Sequence, residues 1–131
     1  MKVLIVEDDF TSRLTLQKLI AAYGETHIAV NGLEAMDAFV AALREGQPYD
    51  LICLDIMMPE LDGHKVLQRI RQMEEEKGIN SSNGVKIIMT TALDDPTNVV
   101  AAFKSLCDAY LVKPVSKAKL LDYLRSFGLI S

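Results

Sequence analysis

The sequence predicts an α/β fold: a doubly wound sheet of five parallel strands with five helices packed on its two faces. Three observations predict it. Short runs rich in Val, Ile and Leu recur five times along the chain, and a segment with helical spacing follows each of them. The runs are apolar without strict alternation, as strands covered on both faces are. The order is strand then helix throughout, which calls for parallel crossovers. Right-handed crossovers then bring the C-terminal ends of all the strands to one edge. The 131 residues suit one domain, residues 1–131, able to bury a core without a metal or disulfide staple.

The first strand is expected over Val3–Val6. Leu14, Leu16, Leu19 and Ile20 supply the apolar face of the first helix, with Asp9 an exposed acid or a favourable charge at its N-terminus. The second run, His27–Val30, is the weakest, and Leu33, Met36, Phe39, Val40 and Leu43 mark the helix after it. Leu51–Leu54 is the third strand, with Cys53 a small core residue. Asp62 is the expected N-cap of the third helix, whose inward residues are Val66, Leu67, Ile70 and Met73. The run Glu74-Glu75-Glu76-Lys77 reads as a solvated helix end. The long helix-to-strand loop Lys77–Gly84 should lie on the edge away from the strands' C-terminal ends. Val85–Met89 is the fourth strand. Pro96 suits the first turn of a fourth helix carrying Val99, Val100 and Phe103. Ala109–Val112 is the fifth strand. Ser116 caps a fifth helix with Leu120, Leu121 and Leu124 inward, and Gly128 follows its end.

A net charge of −4 disfavours non-specific binding to nucleic acid or to an anionic membrane. No apolar run approaches the roughly 18 residues of a membrane span, and the N-terminus lacks a secretory layout. Two cysteines are too few for a disulfide framework, which points to a reducing cytoplasm. His27 and His64 show no metal-ligand spacing.

The residues just after the strong apolar runs carry the chemistry. Glu7, Asp8 and Asp9 follow the first, Asp55 the third, Thr90 and Thr91 the fourth, and Lys113 the fifth. In this fold class those ends line one crevice, where ligands bind. Clustered carboxylates need a cation, and a hard oxygen site with few protein ligands suits Mg²⁺. Asp55 is ionised at neutral pH and can act as a nucleophile without a general base. Lys113 can pair with a phosphoryl oxygen and Thr91 can donate to another. Phosphoryl transfer needs mainly positioning and charge neutralisation, so this set suffices. Thr90 reads as an ordinary β-branched strand residue.

The runs Val3-Leu4-Ile5-Val6-Glu7-Asp8-Asp9, Leu54-Asp55-Ile56-Met57-Met58-Pro59-Glu60-Leu61-Asp62-Gly63, Met89-Thr90-Thr91-Ala92 and Tyr110-Leu111-Val112-Lys113-Pro114 together resemble the signature segments of CheY-like response-regulator receiver domains. The resemblance covers essentially the whole chain. It implies a flavodoxin-like sheet of order 2-1-3-4-5, which periodicity alone does not yield. It implies a two-component phosphoacceptor: Asp55 would receive a phosphoryl group from a phosphohistidine on a sensor histidine kinase or a histidine phosphotransfer protein. Asp8 would bind the metal directly, Glu7 through water, and Met57 through its backbone carbonyl. Thr91 and Lys113 would contact the phosphoryl group, and Tyr110 would be the rotamer switch that follows Thr91. The Lys113–Pro114 bond would be cis.

On this reading the chain catalyses only its own phosphorylation and dephosphorylation. With no output domain expected after the fifth helix, the face built from the fourth helix, fifth strand and fifth helix would be read by a separate downstream protein, or the domain would relay the phosphoryl group onward. A magnesium-dependent phosphohydrolase is the first rival, but it commonly carries a second acid two residues past the nucleophile, where Met57 stands. A flavodoxin-like binding module would need a phosphate-binding glycine loop that is not evident, and a pseudo-receiver that only docks proteins would not need the full acid–Asp–Thr–Lys set. Met57 and Leu93 occupy positions that tune dephosphorylation in this family. Neither can orient a water, so slow decay of the phosphorylated state is expected.

Overall fold

A computed structural model of the chain describes residues 1–56, 63–79, 83–92 and 106–131. In chain order its elements are β1 (Lys2–Val6), α1 (Phe10–Ile20), β2 (Glu25–Ala29), α2 (Gly32–Arg44), β3 (Leu51–Asp55), α3 (Gly63–Glu76), β4 (Lys86–Thr91), β5 (Ala109–Val112) and α4 (Lys117–Ser126). Here α4 is the helix expected as the fifth. The expected fourth helix, with Pro96, Val99, Val100 and Phe103, lies outside the described residues, as do Asp62, Met57 and Leu93.

The five strands form one parallel sheet in the order β2-β1-β3-β4-β5. Every residue of β3 is buried and β1 is nearly so, as expected of central strands. Successive side chains alternate between the two faces. Leu4, Val6, Ile52, Leu54, Ile87 and Met89 pack with α2 and α3 on one face. Val3, Ile5, Leu51, Cys53, Ile88 and Leu111 pack with α1 and α4 on the other. The sheet is therefore covered on both sides, and its strands' C-terminal ends share one edge.

The caps explain where the helices begin. Asp9 caps α1, its carboxylate accepting from the Ser12 N–H at 2.8 Å. Asn31 caps α2 through the Glu34 N–H, and the Glu34 carboxylate accepts from the N–H of Val30, the residue before the cap. Ser116 caps α4 as expected, and Gly128 turns the chain after that helix with φ of 76°.

Four expectations need correction. The second strand runs over Glu25–Ala29 rather than from His27 to Val30. Its polar start is tolerated because β2 is an edge strand, held in register where Lys2 pairs with Glu25. Leu33 is 64% exposed; α2 buries Ala35, Phe39 and Ala42, and Leu33 falls on the far side of that stripe. Leu14 likewise lies at the margin of α1, where Leu16 and Ile20 are the buried pair.

Glu74 is not solvated but only 4% exposed. Its carboxylate accepts from Arg71 at 2.7 Å and from the Val85 N–H at 2.7 Å. Arg71 also donates to the Val85 carbonyl, the Leu106 carbonyl and the Asp108 carboxylate. Asp108 in turn accepts from the Ile87 N–H. This network ties α3 to the starts of β4 and β5, and the described part of the loop after α3 lies at that edge, opposite Asp55. Gly84 packs closely there: a Cβ on it would lie 2.5 Å from the Glu74 carboxylate and would displace it from this network.

Candidate functional site

Asp55 is the last residue of β3, and Glu7 follows the last residue of β1. Val6 pairs with Leu54, so Glu7 and Asp55 stand side by side one step further along. Both are buried, whereas Asp8, on the turn into α1, is exposed. Carboxylate oxygens of Glu7, Asp8 and Asp55 all lie within 4.8 Å of one another. Lys113 follows β5, its N–H donating to the Thr91 carbonyl at 2.7 Å, and the next peptide bond, to Pro114, is cis. Its ammonium lies 2.7 Å from Glu7 Oε2 and 3.3 Å from Asp55 Oδ2.

The backbone around this cluster is closely built. The Glu7 N–H donates to the Ala29 carbonyl, and the Glu7 Oε1 accepts from the Asp9 N–H at 3.2 Å. Arg13 of α1 donates to the Glu7 carbonyl. Gly63, at the start of α3, touches the backbone behind Asp55: a Cβ there would lie 2.7 Å from the Ile56 Cα and 2.9 Å from the Asp55 carbonyl oxygen. The glycine in this motif therefore serves close approach of two backbone segments.

The electrostatics fit a cation. Lys113 neutralises part of the charge, pairing with two of the three clustered carboxylates. Glu7 Oε2 is close to that ammonium, yet it is buried without a well-directed hydrogen bond among the described residues and so keeps acceptor capacity. Hard, oxygen-only, partly open donors suit Mg²⁺, which retains several waters. Glu7, Asp8 and Asp55 are the described residues that could hold it.

Burial is the largest influence on Glu7 and, with the Asp55 charge, outweighs the Lys113 ammonium, pushing its carboxyl from 4.5 up to about 6. For Lys113, burial opposes the charge, but Glu7 and Asp55 more than offset it and hold its pKa above the ordinary lysine value. An acid with a raised folded-state pKa holds its proton more tightly when folded. Its ionisation therefore destabilises the fold at neutral pH, and stability returns as the pH falls through about 6 toward 4.5. Relative to Glu7→Gln, the metal-free wild type should gain on the order of 2 kcal/mol across that window. Urea denaturation in the presence of chelator measures this. Parallel pH profiles for the two proteins would exclude it. The comparison with the variant is needed because Asp9 and Glu25, held low by the Ser12 N–H and by His27, lose stability as the pH falls further.

Thr91 is buried and Tyr110 is 37% exposed. Met89 pairs with Tyr110 and Thr91 with Val112, so Thr91 and Tyr110 are diagonal neighbours on one face of the sheet. Strand alternation puts Asp55, Glu7 and Lys113 toward the other face. The structure thus gathers Glu7, Asp8, Asp55 and Lys113, and sets Thr91 at the rim beside Tyr110. Met57 lies outside the described residues. The roles of Gly63 in backbone approach and of Arg71 in tying the far edge were not visible in the sequence, because both depend on contacts across the fold.

No helix among the described residues is long and apolar enough to cross a membrane. Residues 3–125 match the family described as response regulator receiver domain. The chain is 36% identical over 125 residues to a probable transcriptional regulator, ycf27, of Cyanidium caldarium, an alignment covering 95% of this chain and 45% of that protein. The chain thus spans about half the length of the curated regulators it matches. Among solved structures it superposes, with a TM-score of 0.80 and 29% identity, on a chain of the co-crystal of the Saccharomyces cerevisiae histidine phosphotransfer protein Ypd1 and the receiver domain of Ssk1, covering 98% of this chain and 88% of that one. It also superposes on the response regulator TrrA of Thermotoga maritima, solved with Mg²⁺ and BeF, at TM-score 0.75 and 28% identity over 96% of this chain and 97% of that one. With the sheet order, the acid cluster at its edge and a match along nearly the whole length, the chain belongs to the receiver domains of two-component response regulators.

Proposed function

We propose that Asp55 is the phosphoacceptor of a phosphorelay and that Mg²⁺ assists the transfer. The observation that carries this reading is the convergence of three carboxylates and the Lys113 ammonium at the ends of β1, β3 and β5. A docking module needs no such cluster. A carboxylate oxygen of Asp55 attacks the phosphorus of a phosphohistidine. The new P–O bond forms as the P–N bond breaks, and the electron pair leaves with the imidazole nitrogen. Lys113 neutralises charge on the transferring oxygens, and Thr91 donates to one of them. Bound Mg²⁺, held by Asp8, Asp55, the Met57 carbonyl and, through water, Glu7, would supply the remaining charge neutralisation.

The phosphodonor is a sensor histidine kinase or a histidine phosphotransfer protein; the superposition on the Ypd1–Ssk1 complex supports the second class. The relay is cytoplasmic. Drawing Thr91 toward the phosphoryl group frees space for Tyr110 to turn inward. That biases two conformations of the face around β5 and α4, which a downstream protein reads. The only catalysis is on the protein's own phosphoryl group. Incubation with acetyl phosphate and Mg²⁺ should add the mass of one phosphoryl group to the intact protein. The addition should disappear with chelator and in Asp55→Asn, and persistence in that variant rules the reading out. The phosphorylated state should decay slowly, and Met57→Asn with Leu93→Glu should quicken it in the same mass assay.

A further inference from the structure

Thr90 is fully buried, and its Oγ1 has no hydrogen-bond partner among the described residues. Buried hydroxyls are nearly always bonded, so an orphan in a central strand needs a reason. Its surroundings supply one. Thr90 pairs with Asp55 on one side and with Leu111 on the other. Paired residues of parallel strands face the same way, and Leu111 and Ile88 belong to the core beneath α1 and α4. Thr90 therefore lies on that face, beside Asp55. Lys113, two residues beyond Leu111, is on the same face one step nearer the rim, where its ammonium meets Glu7 and Asp55. The orphan hydroxyl lies under the charged cluster. If only β-branched volume were required there, valine would supply the same shape without a polar atom.

We propose that Thr90 is a positioning residue for phosphoryl transfer, its hydroxyl donating to Asp55 when Lys113 leaves that carboxylate for the incoming phosphoryl group. The proposal rests on Asp55 being the phosphoacceptor. At rest Lys113 lies 3.3 Å from Asp55 Oδ2. Once the ammonium turns to a phosphoryl oxygen, Asp55 loses that interaction. The Thr90 hydroxyl, on the neighbouring strand at side-chain reach, takes its place and holds the carboxylate so that its other oxygen faces the phosphorus. No proton is transferred. At rest the hydroxyl has no partner among the described residues, and the Asp55 carboxylate is held by Lys113.

Thr90→Val separates this from a packing role. In metal-free buffer without phosphodonor, the variant should melt no lower than wild type, and roughly 3 °C higher if the orphan hydroxyl bears its usual penalty. With acetyl phosphate and Mg²⁺, its phosphorylation, followed by intact mass, should be about tenfold slower, while Thr90→Ser should stay within about twofold of wild type. Uptake by Thr90→Val at the wild-type rate overturns the proposal and leaves Asp55 standing. A lower melting temperature for Thr90→Val shows that the hydroxyl is already bonded at rest and also overturns it. So does a slow Thr90→Ser, which would make the effect one of shape. A wild-type protein that takes up no phosphoryl group overturns both readings.

Discussion

Replacing Lys113 by methionine is expected to slow phosphoryl uptake by Asp55 about a hundredfold or more, the usual effect of removing one preorganised charge or donor from a transition state. Methionine keeps most of the length of the side chain, so the loss is that of the ammonium. The same change has a second consequence. Lys113 is the cation that Glu7 and Asp55 share at 2.7 and 3.3 Å. Without it, two adjacent buried carboxylates repel, and the Glu7 carboxyl rises further above its usual range. The metal-free variant should therefore be less stable at neutral pH than at pH 5. Mg²⁺ should rescue it more strongly than it rescues the wild type, because no ammonium competes for the carboxylates. Melting curves at several Mg²⁺ concentrations read this directly. Equal Mg²⁺ shifts in both proteins would show that Lys113 does not occupy the cation site.

Arg71→Met should destabilise the protein by about 3 kcal/mol, lowering the melting temperature by roughly 10 °C, because it strands a buried partner. Arg71 is the hub of the network at the opposite edge, donating to Glu74, Asp108 and the Val85 and Leu106 carbonyls. Glu74 would keep the Val85 N–H but lose its one cation partner among the described residues, while remaining almost wholly enclosed. Simultaneous replacement of Arg71 and Glu74 by Met and Gln should recover part of the loss, since no buried charge is then uncompensated. Phosphoryl uptake measured well below the melting range should match wild type, because the network is at the far end of the strands from Asp55. A loss under about 1 kcal/mol for the single variant would place this network among surface ion pairs of little consequence.

The legible parts of the sequence were those that depend on local chemistry. Alternation of apolar runs with helical spacing located β1, β3, β4 and β5, because buried parallel strands cannot carry charge in their interiors. The weak run around His27 was misplaced at both ends, because an edge strand can begin with Glu25 and Thr26. Leu33 was placed inward because hydrophobicity alone does not say which side of a helix meets the sheet. Glu74 looked solvated within a run of acids; only the return of the chain at Val85 and the reach of Arg71 explain its burial.

The sequence by itself determined the fold class and the residues with the chemistry, because strand ends in a parallel sheet share an edge and the residues just after them must meet there. The tertiary structure alone decided their relations. It put Lys113 on Glu7 and Asp55, set Thr91 beside Tyr110 on the other face, and left the Thr90 hydroxyl beneath the cluster without a partner among the described residues. Those facts follow from which strands are neighbours and in what register. That is a matter of long-range pairing, and local side-chain patterns carry no record of it.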